Sequence, residues 1–395
     1  MIKAVLLDLD QTLLNNPIDA FLMEYFNLLE VFFKKRGYNN SIQQALMACV
    51  ADLERPHDIT LTNYEVFMLR LEKELKRSQS GLKDDFDIFY GEVYPQLKRC
   101  TAPVEGVQRL IEALLSLDLS LIIATNPLFP TSAIEQRLHW AGFSDLTQFA
   151  FITTAENMHF AKPNPAYYAE ILARVGIEPD EAIMVGDDVR NDIEAAATLG
   201  IYTYHVVENV SQQTQADRQG TIIQLEAAFK QRWHQNLAIK PLHPKMIAPQ
   251  FIGNVGALFG LLDQVQPHYW EQHPDPEEWS ILQIVCHLLE SEVQVQRPRL
   301  LRILEEDNPF LTAPKTPPGP QSPPCAPNGL QVAKDFAKER QNTIKLLSTL
   351  NEAQWYRPAR HYIFSHTNLL EMAHFTAQHD RLHINQLCET LGNCH

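Results

Sequence analysis

The chain has 395 residues, 45% hydrophobic and 21% charged, enough apolar material for more than one globular domain. Its formal net charge of −15 argues against a general nucleic-acid binder, because phosphate backbones are held by a basic face. No run reaches the roughly 20 apolar residues of a membrane span, and Met1-Ile2-Lys3 runs to Asp8 and Asp10 without a leader pattern; a cytoplasmic protein with neither membrane nor nucleic-acid partner is the expectation.

Runs at 4–9, 119–124, 149–153, 182–185 and 201–206 have strand length and many branched residues, and most lead through a polar turn into a helical pattern. Near-continuous apolar strands alternating with helices predict an α/β domain with a doubly wound parallel sheet covered on both faces. From about residue 15 to 100, between the first two runs, the pattern is helical throughout. Phe21, Tyr25, Leu28, Leu29 and Phe32 share one face, as do Tyr64, Phe67, Met68 and Leu71. An all-helical insertion after the first strand of such a sheet stands over the strand C-termini, where ligands bind, and reads as a cap.

This domain is expected over 1–232, followed by a linker over 233–245 that Pro241 and Pro244 stiffen. Residues 246–395 read as helical to the end, with amphipathic segments at 251–264, 280–305, 331–350 and 368–391, and predict an all-α four-helix bundle. The Pro-rich stretch 313–327 predicts an extended crossover between the second and third helices. Six cysteines (Cys49, Cys100, Cys286, Cys325, Cys388 and Cys394) lack CxxC spacing and are expected to be reduced thiols, with neither a disulfide framework nor a zinc ribbon.

The chemistry-bearing residues of the first half sit at the ends of the apolar runs. Asp8 and Asp10 are two apart, so in an extended chain both point the same way. Two carboxylates this close repel unless a cation or a shared proton relieves them. Mg²⁺ is the natural partner, and an aspartate can also act as a covalent nucleophile; the alternative is a strand that ends in solvated acids. Thr125-Asn126 ends the second run, Lys162 stands before a helix, and Gly186-Asp187-Asp188 ends the fourth run with Asn191-Asp192 after it. Taken singly, these read as a turn residue, a surface charge and a helix cap.

Together, Asp8, Asp10, Thr12, Thr125, Lys162, Asp187 and Asp192 resemble the motif pattern of the haloacid dehalogenase-like (HAD) hydrolases: DxDx[T/V], a strand-end Ser/Thr, a Lys and an acidic pair. The resemblance covers about residues 1–230, and the inserted helices look like the C1-capped phosphatase type. It implies a Rossmann-like core and a Mg²⁺-dependent phosphatase that hydrolyses a small phosphorylated metabolite through an aspartyl-phosphate. It further implies that Asp8 attacks phosphorus, and that Asp10 protonates the leaving oxygen and then activates water. Thr125 and Lys162 hold the phosphoryl group, whose oxygens carry the charge of the transition state. Asp187 completes a Mg²⁺ site with Asp8 and the main-chain carbonyl of Asp10, while Asp188 and Asp192 orient Lys162 or metal-bound water. Gln11 departs from the Gly that phosphatases of this family often carry. The dehalogenase branch uses no metal and lacks the second motif aspartate, so Asp10 and Asp187 favour the phosphatase. In the cap, Arg36, Arg55 and Arg70 are candidates to meet a substrate anion, with solvated surface charges as the alternative.

In the second half, His379 and His383 are four apart on a predicted helix and share one face, the common way to present two imidazoles to one metal. His287, in the second helix, is the candidate third ligand. The order Trp-Ser-x₆-His-Leu, a Pro-rich loop and His-Asp-Arg-x-His-x-x-Gln is similar to the DinB/YfiT-like four-helix-bundle family, over about 246–393. Its metal triad maps onto His287, His379 and His383. Three imidazoles with open positions suit Zn²⁺ or Ni²⁺ and leave room for water or a thiol substrate. Asp380 and Glu290 are candidates to orient the imidazoles, and His374, about 140° round the helix from His379, is expected to stand apart. An alternative makes the bundle the main active unit, a thiol S-transferase or hydrolase with the first half accessory. A third option is a dimerisation or sensing bundle, which keeps a homodimer open.

Overall fold

The computed structural model describes residues 1–53, 55, 57–208, 215–263, 265–315 and 319–394. The chain divides into two compact units, Met1–Tyr168 with Ile177–Ile239, and Lys240–His395 with Ala169–Gly176.

The first unit opens with strand β1 (Ala4–Leu7) and a short strand β2 (Leu14–Asn15). The cap follows as α1 (Ile18–Lys35), α2 (Ile42–Leu53), α3 (Asn63–Leu75) and α4 (Gln79–Ile88), and a tight helical segment, Tyr94–Cys100, closes it. Strand β3 (Ala102–Pro103) pairs antiparallel with β2, so the chain leaves and re-enters the core through one two-stranded ribbon. Phe21, Tyr25, Leu29 and Phe33, each four residues on, form the buried stripe of α1. Leu28 and Phe32, expected on that face, are only half-buried at its edge. In α3 the N-cap Thr62 and Glu65 form a reciprocal capping box that fixes the helix start.

The core then runs α5 (Val107–Leu115), β4 (Ser120–Ile123), α6 (Thr131–Trp140), β5 (Phe151–Ile152), α7 (Pro165–Val175), β6 (Ala182–Gly186), α8 (Ala195–Thr198), β7 (Tyr202–Val206), β8 (Arg218–Gly220) and α9 (Ile222–Lys230). The six strands form one parallel sheet in the order β5-β4-β1-β6-β7-β8. Five of them fall on the five apolar runs. The sixth, β8, is a polar edge strand of three residues, too short and too hydrophilic to register as a run. Leu7 stands beside Ile123 on one side and Val185 on the other, so the residues after β1, β4 and β6 emerge next to one another at one end of the sheet. That register, set by buried strands such as the fully buried Ala4–Leu7, builds the site.

The second unit contains α10 (Ile247–Leu262), α11 (Ile281–Ser291), α12 (Arg297–Glu305), β9 (Phe310–Leu311), α13 (Gly329–Ser348), α14 (Glu352–Trp355), β10 (Pro358–His361), β11 (Ser365–Asn368) and α15 (Leu369–Cys394). A π-helical turn, Glu292–Gln296, joins α11 to α12. The four long segments are helices as expected, but the chain is not helical to the end: β9, β10 and β11 form a three-stranded sheet. In β10 burial alternates, with Ala359 and His361 inside and Pro358 and Arg360 outside, a two-residue period that its polar side chains disguise. Residues 316–318 of the Pro-rich stretch, and His395, lie outside the described residues.

Two further expectations are corrected here. Pro244–Leu262 is long and apolar enough to pass for a membrane span, although 72% of its most apolar window is buried within the protein. Cys286 and Cys325 are not reduced thiols: a disulfide joins them, with Cα atoms 5.7 Å apart. The Pro-rich segment brings Cys325 to α11 across 39 residues, a meeting that no local spacing could signal. Cys49, Cys100 and Cys388 are free.

The bundle interior also encloses charge. Arg340 lies 2.9 Å from both Glu292 and Asp380, and its guanidinium covers the Phe251 ring at 4.4 Å. Thr343 donates to Glu292. A buried triad of this kind fixes which helix faces meet, because any other register would strand an unpaired charge.

Candidate functional site

The first unit gathers its titratable groups at the carboxyl ends of β1 and β6. Ligand oxygens of Asp8, Asp187 and Asp192 all lie within 4.8 Å of one another. Lys162, in the loop before α7, donates to Asp8 Oδ1 at 2.7 Å and to Asp192 Oδ1 at 2.6 Å, and the lysine is buried. Asp192 Oδ2 also accepts from the backbone N–H of Asp188 at 3.1 Å. The approach is close: a Cβ on Gly186 would stand 2.1 Å from that oxygen, so only glycine fits there. Thr12 donates to Asp187 Oδ1 at 3.3 Å, and the His205 ring meets the Asp187 carbonyl at 2.9 Å.

Three carboxylates face a single ammonium. Burial, outweighing the pull of Lys162 and aided by Asp192, Asp10 and Asp187, pushes the Asp8 carboxyl well above the usual carboxylate range. Asp187 is pushed up to about 6 by burial and then by Asp192. Burial works against the charge on Lys162, but Asp192 and Asp8 hold its ammonium firmly protonated. The excess negative charge is what a hard divalent cation would neutralise.

Asp10 faces a different set of partners. Asn16 donates to its Oδ1 at 2.7 Å, and Arg137, wholly buried on α6, donates to its Oδ2. The intervening Gln11 adopts a left-handed backbone, φ +63°, while its N–H donates to the Leu14 carbonyl at 2.7 Å. The Gly of related motifs thus has a conformational reason. Thr125, just beyond β4, is buried, and its carbonyl accepts from Thr153 at 2.8 Å and from Tyr167 at 2.7 Å. Asp188 is exposed and accepts from the Asn191 N–H at 2.7 Å, so it caps the next turn while Asp192 holds Lys162.

In the second unit, ligand nitrogens of His287, His379 and His383 lie within 4.8 Å of one another, with Nε2 of His287 and His379 3.2 Å apart. Burial, then the neighbouring imidazoles, lowers His287 to about 3 and His383 to about 4, so both are neutral, as metal ligands must be. The Gln386 side-chain oxygen lies 3.0 Å from His383 Nδ1, which leaves Nε2 to face the cluster. Trp279 stacks over His383 at 5.8 Å. Asp380 is committed to Arg340 and stands 3.9 Å from His379 Nδ1, whereas His374 lies outside the cluster.

Residues 2–200 match the family model described as haloacid dehalogenase-like hydrolase. The chain belongs to that family.

Within this HAD hydrolase, residues 250–387 match the DinB superfamily, so the chain joins a hydrolase domain to a DinB domain. A haloacid dehalogenase-like hydrolase domain-containing protein 3 from Danio rerio is 36% identical over 72 residues, 18% of this chain and 30% of that protein. A glyceraldehyde 3-phosphate phosphatase from Methanopyrus kandleri is 34% identical over 58 residues, 15% of this chain and 25% of that one. The chain thus spans less than a third of the length of these curated relatives. Among solved structures, a predicted phosphoglycolate phosphatase from Haemophilus somnus is 20% identical with a TM-score of 0.37, covering 58% of this chain and 98% of that one.

The HAD hydrolase's cap supplies a cavity of about 410 Å³, walled by Tyr25, Tyr64, Phe67, Leu71, Phe86 and Tyr90. None of the three cap arginines lines it. Arg36 pairs with Asp85, Arg70 pairs with Asp52 and Glu74, and Arg55 is exposed beside Asp52, an arrangement closer to the surface-charge alternative than to an arginine anion site. Sequence reasoning missed Arg137 and Asn16. Arg137 carried a faint signal, since it shares the apolar face of its helix with Ala133, Ile134 and Leu138.

Proposed function

We propose that the HAD unit is a Mg²⁺-dependent phosphatase that hydrolyses a small phosphorylated metabolite through an aspartyl-phosphate on Asp8. The observation that carries this reading is the cluster of Asp8, Asp187 and Asp192 around Lys162 at the ends of adjacent strands. Its oxygen donors and excess negative charge fit Mg²⁺, with Asp8, Asp187 and the Asp10 main-chain carbonyl as the residues that would hold it. When bound, the ion supplies positive charge against the phosphoryl oxygens.

A carboxylate oxygen of Asp8 forms the bond to phosphorus as the ester P–O bond breaks, and the leaving oxygen takes its proton from Asp10. Asp10 then takes a proton from the water that attacks the acyl phosphate, releasing inorganic phosphate and restoring Asp8. Lys162 and the Thr125 hydroxyl hold the phosphoryl oxygens through both steps. Arg137 and Asn16 aim Asp10, which must serve twice from one position. The apolar cap cavity is the natural seat for the alcohol half of the ester.

The test is phosphate release from a panel of small phosphoesters, with and without Mg²⁺, for wild type and Asp8→Asn. Turnover that needs Mg²⁺ and falls by about 10³-fold or more in the variant is expected; turnover that survives the substitution overturns the mechanism. The match over residues 2–200 favours this unit as the seat of hydrolysis over a reading in which the bundle is the main active unit.

For the bundle we infer a resident transition metal, Zn²⁺ or Ni²⁺, on His287, His379 and His383, with open positions that a thiol substrate could reach. The neutral, convergent imidazoles support it. Metal content after purification without chelator tests it: near-stoichiometric metal lost in His379→Ala is expected, and unchanged content refutes the triad.

A further inference from the structure

The disulfide that the sequence did not announce stands beside the histidine cluster. Cys286 immediately precedes His287 on α11, and Cys325 lies in the Pro-rich segment leading to α13. Both line a small cavity of about 60 Å³. His287, Gln283 and Glu290 of α11 form one wall, and Pro323, Pro324 and Cys325 form the other. Residues 320–325 of the Pro-rich segment form a strap across the face of α11 that carries His287. Among the described residues its polar ties are few, and one of them, the Cys325 N–H to Cys286 Sγ at 3.1 Å, goes with the disulfide itself. Gln283, one turn before His287, donates to the carbonyls of Pro320 at 3.0 Å and Ser322 at 2.8 Å, and Gln321 donates to the Pro276 carbonyl at 3.0 Å. Pro323, Pro324 and Cys325 are themselves exposed and have no regular structure. A segment with so little buried area opens at small free-energy cost unless something covalent holds it. Here the covalent tie is the Cys286–Cys325 bond.

The pair is also asymmetric. Cys286 is 5% exposed whereas Cys325 is an exposed residue, so Cys325 is the more accessible end of the bond for an incoming thiolate. We propose that Cys286–Cys325 is a thiol–disulfide exchange site for a low-molecular-weight thiol, and that its reduction frees the Pro-rich strap and opens the histidine cluster to metal exchange. The inference rests on the reading of His287, His379 and His383 as a metal site.

The chemistry balances with two equivalents of the small thiol. The first, as thiolate, attacks Cys325 Sγ. A bond forms between the two sulfurs, the Cys286–Cys325 bond breaks, and its electron pair leaves on Cys286 Sγ, which takes a proton from solvent. The second attacks the small-molecule sulfur of the mixed disulfide, releasing the oxidised small thiol and leaving Cys325 as a thiol. The oxidised small thiol drives the reverse sequence and closes the strap.

The experiment uses the full chain loaded with Zn²⁺ and follows zinc transfer to a colorimetric chelator. It compares the oxidised protein, the protein reduced by a phosphine, and the Cys286→Ser/Cys325→Ser double variant. The double variant lacks both the tie and the two thiols beside His287 that could themselves grip zinc. Release at least about 5-fold faster from the reduced protein and from the double variant than from the oxidised protein is expected. A second measurement treats Cys286→Ser with oxidised glutathione and expects one mixed disulfide by intact mass, mapped to Cys325. Equal release rates in all three forms, or slower release on reduction, overturn the gate while leaving the metal site standing. Zinc that binds none of the three forms overturns the metal reading and the gate with it. No adduct on Cys325 overturns the exchange site.

Discussion

Arg137 reaches Asp10 from 127 residues away and donates to its carboxylate from a wholly buried position, its guanidinium stacked over Phe129 at 4.5 Å. Burial opposes the arginine's charge, but Asp10 more than compensates and holds it raised. With Asn16 on the other oxygen, the Asp10 side chain is fixed by two donors. Under the proposed role of Asp10 as proton donor, Arg137 is a positioning residue, and its loss should appear in kcat rather than KM. Arg137→Met is expected to lower kcat by roughly 10- to 100-fold with KM little changed, because misplacing a proton donor by an ångström costs on that order. Arg137→Lys should recover part of the loss. Steady-state kinetics on both variants, with melting curves to separate unfolding from misplacement, decides it; a purely KM effect would assign the arginine to substrate binding.

Gln11 pays a conformational cost that glycine would not. Its φ of +63° lies in the left-handed region, which disfavours side chains by about 1 kcal/mol or more. The strained turn lets the backbone double back, so that Asn16 both meets Asp10 and accepts from the Gln11 N–H at 3.2 Å. Gln11→Gly removes the strain but adds unfolded-state entropy of comparable size. Stability is expected to be unchanged or to rise by up to about 1 kcal/mol, with activity retained. Chemical denaturation measures the first and turnover the second; a clear destabilisation would show that the side chain, and not only the turn, is needed.

What could be read in the sequence was whatever repeats locally. Buried strands such as Ala4–Leu7 and Ala182–Gly186 are continuous apolar runs, and the residues at their ends are close in sequence to the run that places them. The imidazoles of His379 and His383 follow from helical spacing alone. What could not be read depends on distant segments meeting. Arg137 resembles any basic residue in an amphipathic helix until α6 is packed against the β1 loop. Cys286 and Cys325 have no mutual spacing until the strap crosses α11. The strands β8 and β11 are short polar edges, β9 is only two residues long, and the central β10 hides its alternation behind polar side chains, so their pairing is decided by neighbours rather than by their own composition.

On the proposed reading, in which Asp8 and Asp187 hold Mg²⁺, the ion and pH act on the same equilibrium. In the metal-free protein Asp187 titrates at about 6, above the ordinary 3.8, because burial and Asp192 disfavour its charge. A raised folded-state value favours the protonated fold: its contribution is full below about pH 3.8 and lost as pH rises through about 6. The proposed Mg²⁺ site needs the ionised form, so the ion should restore most where that loss is complete. The rise in Tm on adding Mg²⁺ is expected to be small at pH 5 and larger at pH 7.5, and Asp187→Asn should flatten the difference. Thermal melts at the two pH values, with and without the ion, give the answer; a shift independent of pH would dissociate Asp187 from the metal.

Among the described residues Lys162 is the positive charge paired with both Asp8 and Asp192, so Lys162→Met would leave two buried carboxylates facing each other. Breaking a buried pair from one side costs on the order of 3–5 kcal/mol. A large fall in metal-free Tm, partly recovered by Mg²⁺, is expected alongside the loss of turnover. Lys162→Met combined with Asp192→Asn should recover stability without recovering activity. That outcome would separate the lysine's structural work, which a neutral partner can replace, from its work on the phosphoryl group, which needs the charge. If the double variant were as unstable as the single one, the cost would lie in packing around the lysine stem.

The cap cavity makes a claim about the ester's other half. Its walls are mainly aromatic and aliphatic; the charged residues that line it are Lys83, paired with Asp87, and the acids Glu135 and Glu156, and the cap arginines that could have met a second anion are paired with Asp52, Glu74 and Asp85. An alcohol portion with an apolar body should therefore gain binding energy that a second phosphate or carboxylate could not, since burying an unpaired anion there is costly. Across a panel of phosphomonoesters, kcat/KM should rise with the apolar area of the alcohol, by roughly a factor of 4 for each buried methylene. Leu71 stands on the wall of the cavity, so Leu71→Trp fills space without touching Asp8, Asp10 or Lys162. It should raise KM for the bulkier esters by about 10-fold while leaving the smallest ones unaffected, as loss of uniform binding does. If Leu71→Trp penalised all esters alike through kcat, the cavity would be part of the cap's scaffold and the alcohol would be seated elsewhere.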